Sequence, residues 1–303
     1  MELRHLRYFV AVAEEGSLTH AAERRLHTAQ PSLSRQIRDL ELEVGVKLLE
    51  RGARGIELTA AGRTFLDHAR LALLQVEAAG EAARRAAQPE KTTFMVGFLT
   101  GHEVVWLPDV LRILHEEEPG IEITLASQPS PDLARALMRG KMDVAFLRRE
   151  TQAPGVAFKF MIKEPLVAMV PAGHRLASRK AISPQEIAAE TYITPTRYAP
   201  VLKAVIDDYT AKLGIMLKPE YEADNLTSLM SLVASTGGVT MVPIYARHVL
   251  SSTVVLRPLK AEPPTIDLFM GYNRSNTSPL LKRFLARADE LVAAVARRTS
   301  SDL

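Results

Sequence analysis

The stretch Ser17-Leu18-Thr19-His20-Ala21-Ala22-Glu23-Arg24-Arg25-Leu26-His27-Thr28-Ala29-Gln30-Pro31-Ser32-Leu33-Ser34-Arg35-Gln36-Ile37 decides how this chain is read. Two short helical patterns flank a tight turn at His27-Thr28. Ser17 has the hydroxyl of a good N-cap. Leu18, Ala21, Ala22 and Leu26 recur at the spacing of one buried helix face. Thr28 can cap the next helix, and Pro31 falls in its first turn, where a missing N–H costs nothing. Leu33, Ile37 and Leu40 form that helix's buried face, so Ser32, Ser34, Arg35 and Arg38 point away from the core. A helix that opens with small polar residues and then arginine suits a DNA groove.

Reading outward, Leu3, Leu6, Val10 and Ala13 give an amphipathic first helix, with Gly16 as its C-terminal stop. Downstream, Val46, Leu48 and Leu49 form a short strand, and Ile56 and Leu58 form its partner. The tip between them, Arg51-Gly52-Ala53-Arg54-Gly55, has two glycines for the turn and two arginines, as a wing would. Thr59 can cap a long helix running to about Ala87. Its stripe of Phe65, Leu66, Ala69, Leu73, Val76, Ala79 and Ala83 needs a partner to cover it, which points to dimerisation. Gln88-Pro89 ends the helix and sets a boundary.

Beyond Pro89, strands and helices alternate. Strands are expected at Thr93–Leu99, Ile121–Leu125 and Met142–Leu147, with helices at Leu107–Glu118 and Asp132–Arg139. That order implies a parallel sheet with helices on both faces. A second unit follows. It has strands at Leu166–Val170, Tyr192–Thr194 and Gly237–Pro243, a short helix capped by Ser183, and helices at Val201–Leu213 and Leu226–Ser235. The strand Ile266–Tyr272 and the helix Ser278–Arg297 return to the first unit. Two α/β lobes joined by two crossings make a hinged clamshell. The expected divisions are 1–58, a linker helix 59–88, and 89–303. In the last, lobe I takes about 89–162 and 266–303, and lobe II about 163–265.

Composition narrows the classes. The 303 residues contain no cysteine, which excludes disulfides, thiolate nucleophiles and zinc fingers. No apolar run reaches the ~18 residues of a membrane span, and the charged N-terminus is not a secretory signal, so a cytoplasmic protein without a membrane partner is expected. Net charge is only +3, and residues 1–58 balance nine basic against nine acidic side chains. Local placement matters more than the sum. Arg24, Arg25, Arg35, Arg38, Lys47, Arg51 and Arg54 fall in one segment, where phosphate neutralisation depends on geometry.

Residues 17–59, including Leu48-Leu49-Glu50-Arg51 and Leu58-Thr59, resemble the winged helix-turn-helix of LysR-type transcriptional regulators. The motif Gly140-Lys141-Met142-Asp143-Val144-Ala145 and the order of elements resemble that family's effector domain, itself similar to periplasmic binding proteins. The resemblance covers the whole chain. It implies an all-α, winged helix-turn-helix domain followed by an α/β two-lobed clamshell, assembled as a homodimer and then a homotetramer. It also implies partnership with RNA polymerase and places Gln30, Pro31, Ser34 and Arg35 in the major groove. The absence of cysteine removes the family's thiol-based peroxide sensors. The chain also looks similar to the subgroup that senses aromatic acids of the phenylpropionate and benzoate type.

The chemistry of these residues agrees with such a role. Arg35 can donate two bonds to a guanine edge, Gln30 can pair with adenine or a phosphate, and Pro31 can pack on a thymine methyl. Thr28 and Ser32 sit near amides able to hold a phosphate. Arg38 extends that face, and Arg51 and Arg54 can reach backbone or minor groove from the wing. Two-fold pairing predicts an interrupted palindrome in double-stranded DNA, with half-sites ~10 bp or a multiple apart. Arg24, Arg25, His20 and His27 read equally well as surface charge, capping or packing residues.

In the clamshell, ligands bind beyond the carboxyl ends of strands. Candidates there are Thr100, Gly101, His102, Gln128, Phe146, Arg148, Thr194, Thr196, Tyr198, Asn225, Thr227 and Pro243. Hydroxyls and helix N-termini with an arginine suit a small carboxylate effector. Arg148 can equally pair with Glu150, His102 can be a satisfied loop histidine, and Thr100, Thr196 and Thr227 can simply cap helices. No nucleophile elbow, P-loop, dinucleotide fingerprint or metal-ligand spacing is present, so no enzyme, metal or cofactor is expected. The expected function is ligand-switched control of transcription. Its alternatives are a constitutive DNA-binding repressor with a structural clamshell and an enzyme with an appended DNA-binding domain.

Overall fold

A computed structural model describes residues 1–52, 55–87, 93–195, 198–260 and 262–300. The chain divides into two compact units, Met1–Arg85 and Ala86–Leu303.

In the first unit, α1 (Leu3–Glu15) buries Leu6, Phe9, Ala11 and Val12. The face is rotated from the one expected, and Leu3 is exposed. Phe9 takes the core position, edge-on to Phe65 with centroids 5.1 Å apart, because a large aromatic ring gains most from burial. Gly16 ends α1 in the left-handed region, and the Ser17 hydroxyl accepts from the His20 N–H, capping α2 (Leu18–His20). That helix continues as a π-helical turn over Ala21–Leu26, and His27 turns left-handed at φ 47°.

The next helix, α3 (Gln30–Val44), starts from Ala29 and not from Thr28. The Thr28 N–H is spent on the Ala22 carbonyl, closing the preceding turn. Leu33, Ile37 and Leu40 are buried as expected. So is Glu41, whose carboxylate accepts from the Leu48 and Leu49 N–H groups and pairs with Lys47. This fixes β1 (Leu49–Gly52) against α3. Its antiparallel partner is β2 (Gly55–Leu58); Val46 lies outside the hairpin and is exposed. The Ile56 N–H donates to the Gly16 carbonyl at 2.8 Å. A Cβ on Gly55, which has φ +130°, would sit 2.6 Å from that oxygen, so only glycine fits. Thr59 caps α4 (Ala60–Ala86) by accepting from the Gly62 N–H. Phe65, Leu66, Ala69 and Leu73 join the core of their own unit, whereas Val76 is exposed.

The second unit begins with β3 (Thr93–Leu99), α5 (Glu103–Glu117), β4 (Glu122–Gln128), α6 (Ser130–Met138) and β5 (Val144–Leu147). β4, β3 and β5 run parallel in that order. Pro108 lies inside α5 rather than at its start, because the His102 carbonyl already accepts from Val105 and Trp106. β6 (Val156–Pro171) is a 16-residue strand that crosses between lobes. The sequence reading covered only its end, since Lys159, Lys163 and Glu164 interrupt the apolar run.

Lobe II adds α7 (Pro184–Ala188), β7 (Tyr192–Pro195), α8 (Pro200–Lys212), β8 (Pro219–Ala223), α9 (Leu226–Thr236), β9 (Thr240–Pro243), a 3-10 segment Ile244–Val249 and β10 (Val254–Pro258). β8 and β10 were not expected; β8 is largely exposed and is held by parallel pairing with β7. The return crossing is β11 (Thr265–Asn273), antiparallel to β6 from Thr265↔Pro165 to Asn273↔Val156. The expected last helix is two, α10 (Pro279–Ala286) and α11 (Ala288–Ser300). They meet at Arg287, whose guanidinium binds Glu116, Glu117 and Glu290.

The cores of the two lobes separate along the crossing strands. Phe94, Phe98, Trp106, Phe146, Met161, Leu268 and Phe284 pack in lobe I. Leu166, Ile182, Tyr192, Ile206, Val239 and Ile266 pack in lobe II. Burying each such large side chain contributes roughly 1.5–3 kcal/mol, so each lobe is held together by a core of its own.

Candidate functional site

The first site is the N-terminal end of α3. Pro31, Ser32, Arg35 and Arg38 are exposed there, while Thr28, Gln30 and Ser34 are half-buried. The opposite face is held by Leu33, Ile37 and Leu40, so the outward face is set by packing and not by chance. Gln36, half-buried on the same helix, is held by the His5 imidazole at 3.0 Å. Arg25, though exposed, is paired with Glu14 at 2.5 Å, and Glu14 also takes Arg70. Arg51 belongs by its backbone to β1, opposite Ile56; Arg54 lies outside the described residues.

The second site lies between the lobes. A pocket of about 90 Å³ is walled by Leu99, Thr100 and Pro129 from lobe I and by Pro195, Tyr198, Leu202, Asn225, Leu226, Leu229, Val242, Pro243 and Tyr245 from lobe II. Each wall lies at or just past the carboxyl end of β3, β4, β7, β8 or β9, or in the first turns of α8 and α9. Four of the expected residues, Thr100, Tyr198, Asn225 and Pro243, line it. Asn225 also caps α9 by accepting from the Ser228 N–H at 2.8 Å.

The other expected residues are placed differently. Phe146 is fully buried in lobe I, stacked on Phe98 at 5.1 Å. Being in the middle of the sheet, it faces helices rather than the pocket. Thr194 is buried beside the Pro195 carbonyl, Gln128 and Thr227 are exposed away from the wall, and Thr196 lies outside the described residues. The amides of Gly101 and His102 are committed to Glu103 and to the Leu99 carbonyl, so they are not free to hold an anion.

Arg148 and His102 form a third feature behind the pocket. Arg148 does not pair with Glu150. Its Nη2 lies 2.6 Å from the Glu164 carboxylate, and His102 Nε2 lies 3.2 Å from the same oxygen. All three side chains are buried. Burial alone would push the Glu164 carboxyl up, but Arg148 and His102 outweigh this and hold it at about 2. Burial holds the His102 imidazole below its usual value, against the pull of Glu164. Glu150, left without that arginine, is pushed up to about 6 by burial. Tyr245 stands between this cluster and the pocket. Its ring is 3.7 Å from the His102 ring and 5.8 Å from the Arg148 guanidinium.

The arrangement is an exposed helix face bearing Arg35 and Arg38 in one unit and a small, mostly apolar pocket between two lobes in the other. A family model described as "Bacterial regulatory helix-turn-helix protein, lysR family" matches residues 3–63, and one described as "LysR substrate binding domain" matches residues 87–293. The chain belongs to the LysR family. As a LysR-type protein it is a DNA-binding transcriptional regulator with an effector-binding domain, and not an enzyme. It is 37% identical over 296 residues to the Hca operon transcriptional activator HcaR of Escherichia coli (strain K12), covering 97% of this chain and 99% of that one. Among solved structures it is similar to full-length CbnR complexed with its target DNA, at 26% identity and TM-score 0.56, covering 96% of this chain and 100% of that. It is similar also to full-length BenM, at 27% identity and TM-score 0.58, covering 97% of each chain. No described helix of this LysR-type regulator is long and apolar enough to cross a membrane.

Sequence reasoning missed Leu202, Leu229 and Tyr245 as LysR pocket residues. Leu202 and Leu229 read as ordinary helix stripes, and Tyr245 sits in a 3-10 segment without periodicity.

Proposed function

We propose that this regulator reads an interrupted palindrome through Gln30, Pro31, Ser34 and Arg35, and is switched by a small aromatic carboxylate bound between its lobes. Thr28, Ser32, Arg38, Arg51 and Arg54 hold the phosphate backbone in this reading, and α4 pairs two copies before they assemble as a tetramer. The observation that carries the effector assignment is the inter-lobe pocket. Its walls are mostly apolar, as a ring requires, and α8 and α9 both begin on it. Helix N-termini carry partial positive charge, which favours a carboxylate where the described lining residues include no basic side chain. Asp224, on the same wall, accepts from the Asn225 amide at 2.7 Å. The acid therefore sits toward α8 and Thr100. Effector binding changes the angle between the lobes, and with it the contacts made with DNA and RNA polymerase, only to the extent that one lobe arrangement binds it more tightly.

The test is thermal unfolding of the full chain with benzoate, phenylacetate and 3-phenylpropionate, each beside its neutral amide. Saturation at ~100 times the dissociation constant stabilises a fold by ~2.7 kcal/mol. At least one acid is expected to raise the melting temperature and its amide is not. Leu202→Trp, which fills the pocket, is expected to abolish the shift. If no acid stabilises the protein, the aromatic-carboxylate reading fails, and weight moves to a different ligand class or to a constitutive DNA-binding repressor with a structural clamshell.

A further inference from the structure

One lobe II side chain is gripped by three parts of lobe I. Tyr245 donates its hydroxyl to the Thr100 carbonyl at 3.2 Å. Its ring lies on His102, with the two planes tilted by 37°, and the Arg148 guanidinium faces it. The lobe I loop is shaped to receive it. Gly101 has φ +94°, and a Cβ there would meet the Tyr245 ring at 3.0 Å, so a larger residue would be strained and would press on the ring. The other side of Tyr245 forms the inner wall of the pocket. Behind it, Arg148 and His102 converge on Glu164, which lies on the crossing strand β6. Arg148 Nη1 is buried with no hydrogen-bond partner among the described residues, and the guanidinium carbon lies 5.8 Å from the Tyr245 ring centroid, within cation–π range.

Resting on the reading of this pocket as the effector site, we propose that Tyr245 is its specificity-determining residue. The ring sets the length of acid the pocket takes, and its grip on Thr100, His102 and Arg148 latches lobe II to lobe I. A ligand that reaches the inner wall presses on the ring and thereby on the contacts that fix the lobe angle. A ligand too short to reach it binds without moving the latch.

The test has two arms on the full chain. The chain has no cysteine, so Lys141→Cys in lobe I and Lys212→Cys in lobe II, both exposed, carry two unique spin labels. Labelled protein is diluted into unlabelled protein so that only pairs within one chain are read. Without ligand, the inter-label distance distribution is expected to be narrow with Tyr245 present and broad in Tyr245→Ala. Tyr245→Phe keeps the ring and is expected to fall between them. A Tyr245→Ala distribution that superimposes on the parent overturns the latch. If Tyr245→Ala does not unfold cooperatively, Tyr245→Leu replaces it.

In the second arm, binding of benzoate and 3-phenylpropionate is compared in wild type and Tyr245→Ala. The variant is expected to shift preference toward the longer acid by about tenfold or more. An unchanged ratio overturns the length-setting role. If neither acid binds wild type, the carboxylate reading of the pocket fails, while the ligand-free distances still decide whether Tyr245 latches the lobes.

Discussion

Arg148 is worth more as a structural charge than as a ligand contact. It is buried with Glu164 at 2.6 Å, and removing one member of such a pair leaves the other charge uncompensated. Arg148→Met is therefore expected to destabilise the fold by roughly 3–5 kcal/mol in denaturant titration. Arg148→Met with Glu164→Leu is expected to recover much of that loss, and a double variant as unstable as the sum of the singles would contradict the pairing. The same cluster sets a pH dependence. Buried His102 resists protonation below its ordinary 6.5, and Glu164 stays ionised from its ordinary 4.5 down to about 2. For both, the unfolded chain binds more protons, so stability rises with pH across those windows. The stability tied to His102 is present above pH 6.5 and drains as pH falls below it; that tied to Glu164 drains between 4.5 and about 2. Melting temperature is expected to fall in two stages on acidification, and His102→Gln to remove the first. A His102→Gln profile parallel to wild type between pH 7 and 5 counts against a neutral buried imidazole. At the DNA end, Arg35→Ala is expected to lose ~1–3 kcal/mol of discrimination at one base step, read from binding to single-base variants of a selected site. Thr100, Tyr198, Asn225 and Pro243 were legible as residues at the cleft because strand ends next to turn-formers declare themselves, and they line the pocket. Tyr245 was not, because its partner Thr100 is 145 residues away and no local pattern encodes that meeting.

At the scale of elements, what was legible followed period. The outward face of α3 and the stop at Gly16 are written in spacing and in cap chemistry. The wing was legible from its two glycines, and Gly55 matters because the Gly16 carbonyl occupies the space a side chain would need. The strands β6, β8 and β10 were hidden, wholly or in part, because their pairing comes from neighbours distant in sequence. The charged residues of β6 are tolerated because β11 supplies its ladder. The long helix α4 was legible as a helix but not in how it is used. Its first turns fill the core of its own unit, and Val76 and the alanines beyond it are the part that the proposed pairing assigns to a second copy. Val76→Asp is expected to lower the mass of the assembly in light scattering. Because Val76 is exposed, the same change should leave the melting of the first unit within about 0.5 kcal/mol. An unaltered mass would remove this stripe from the dimer interface.

For the whole molecule, two lobes with separate cores and two crossing strands give a body whose angle a small ligand can bias. In the proposed reading, the pocket gives that ligand a place, and Tyr245 gives it something to press. None of this regulates unless occupancy is felt at the DNA. The most direct measurement is a footprint on DNA selected from a random library by the full chain, with and without the acid that stabilises it most. A protected site with two-fold symmetry and half-sites ~10 bp or a multiple apart is expected, with an acid-dependent change in its extent or affinity that Leu202→Trp abolishes. A footprint without symmetry, or one identical with and without the acid, would contradict a ligand-switched regulator of this design.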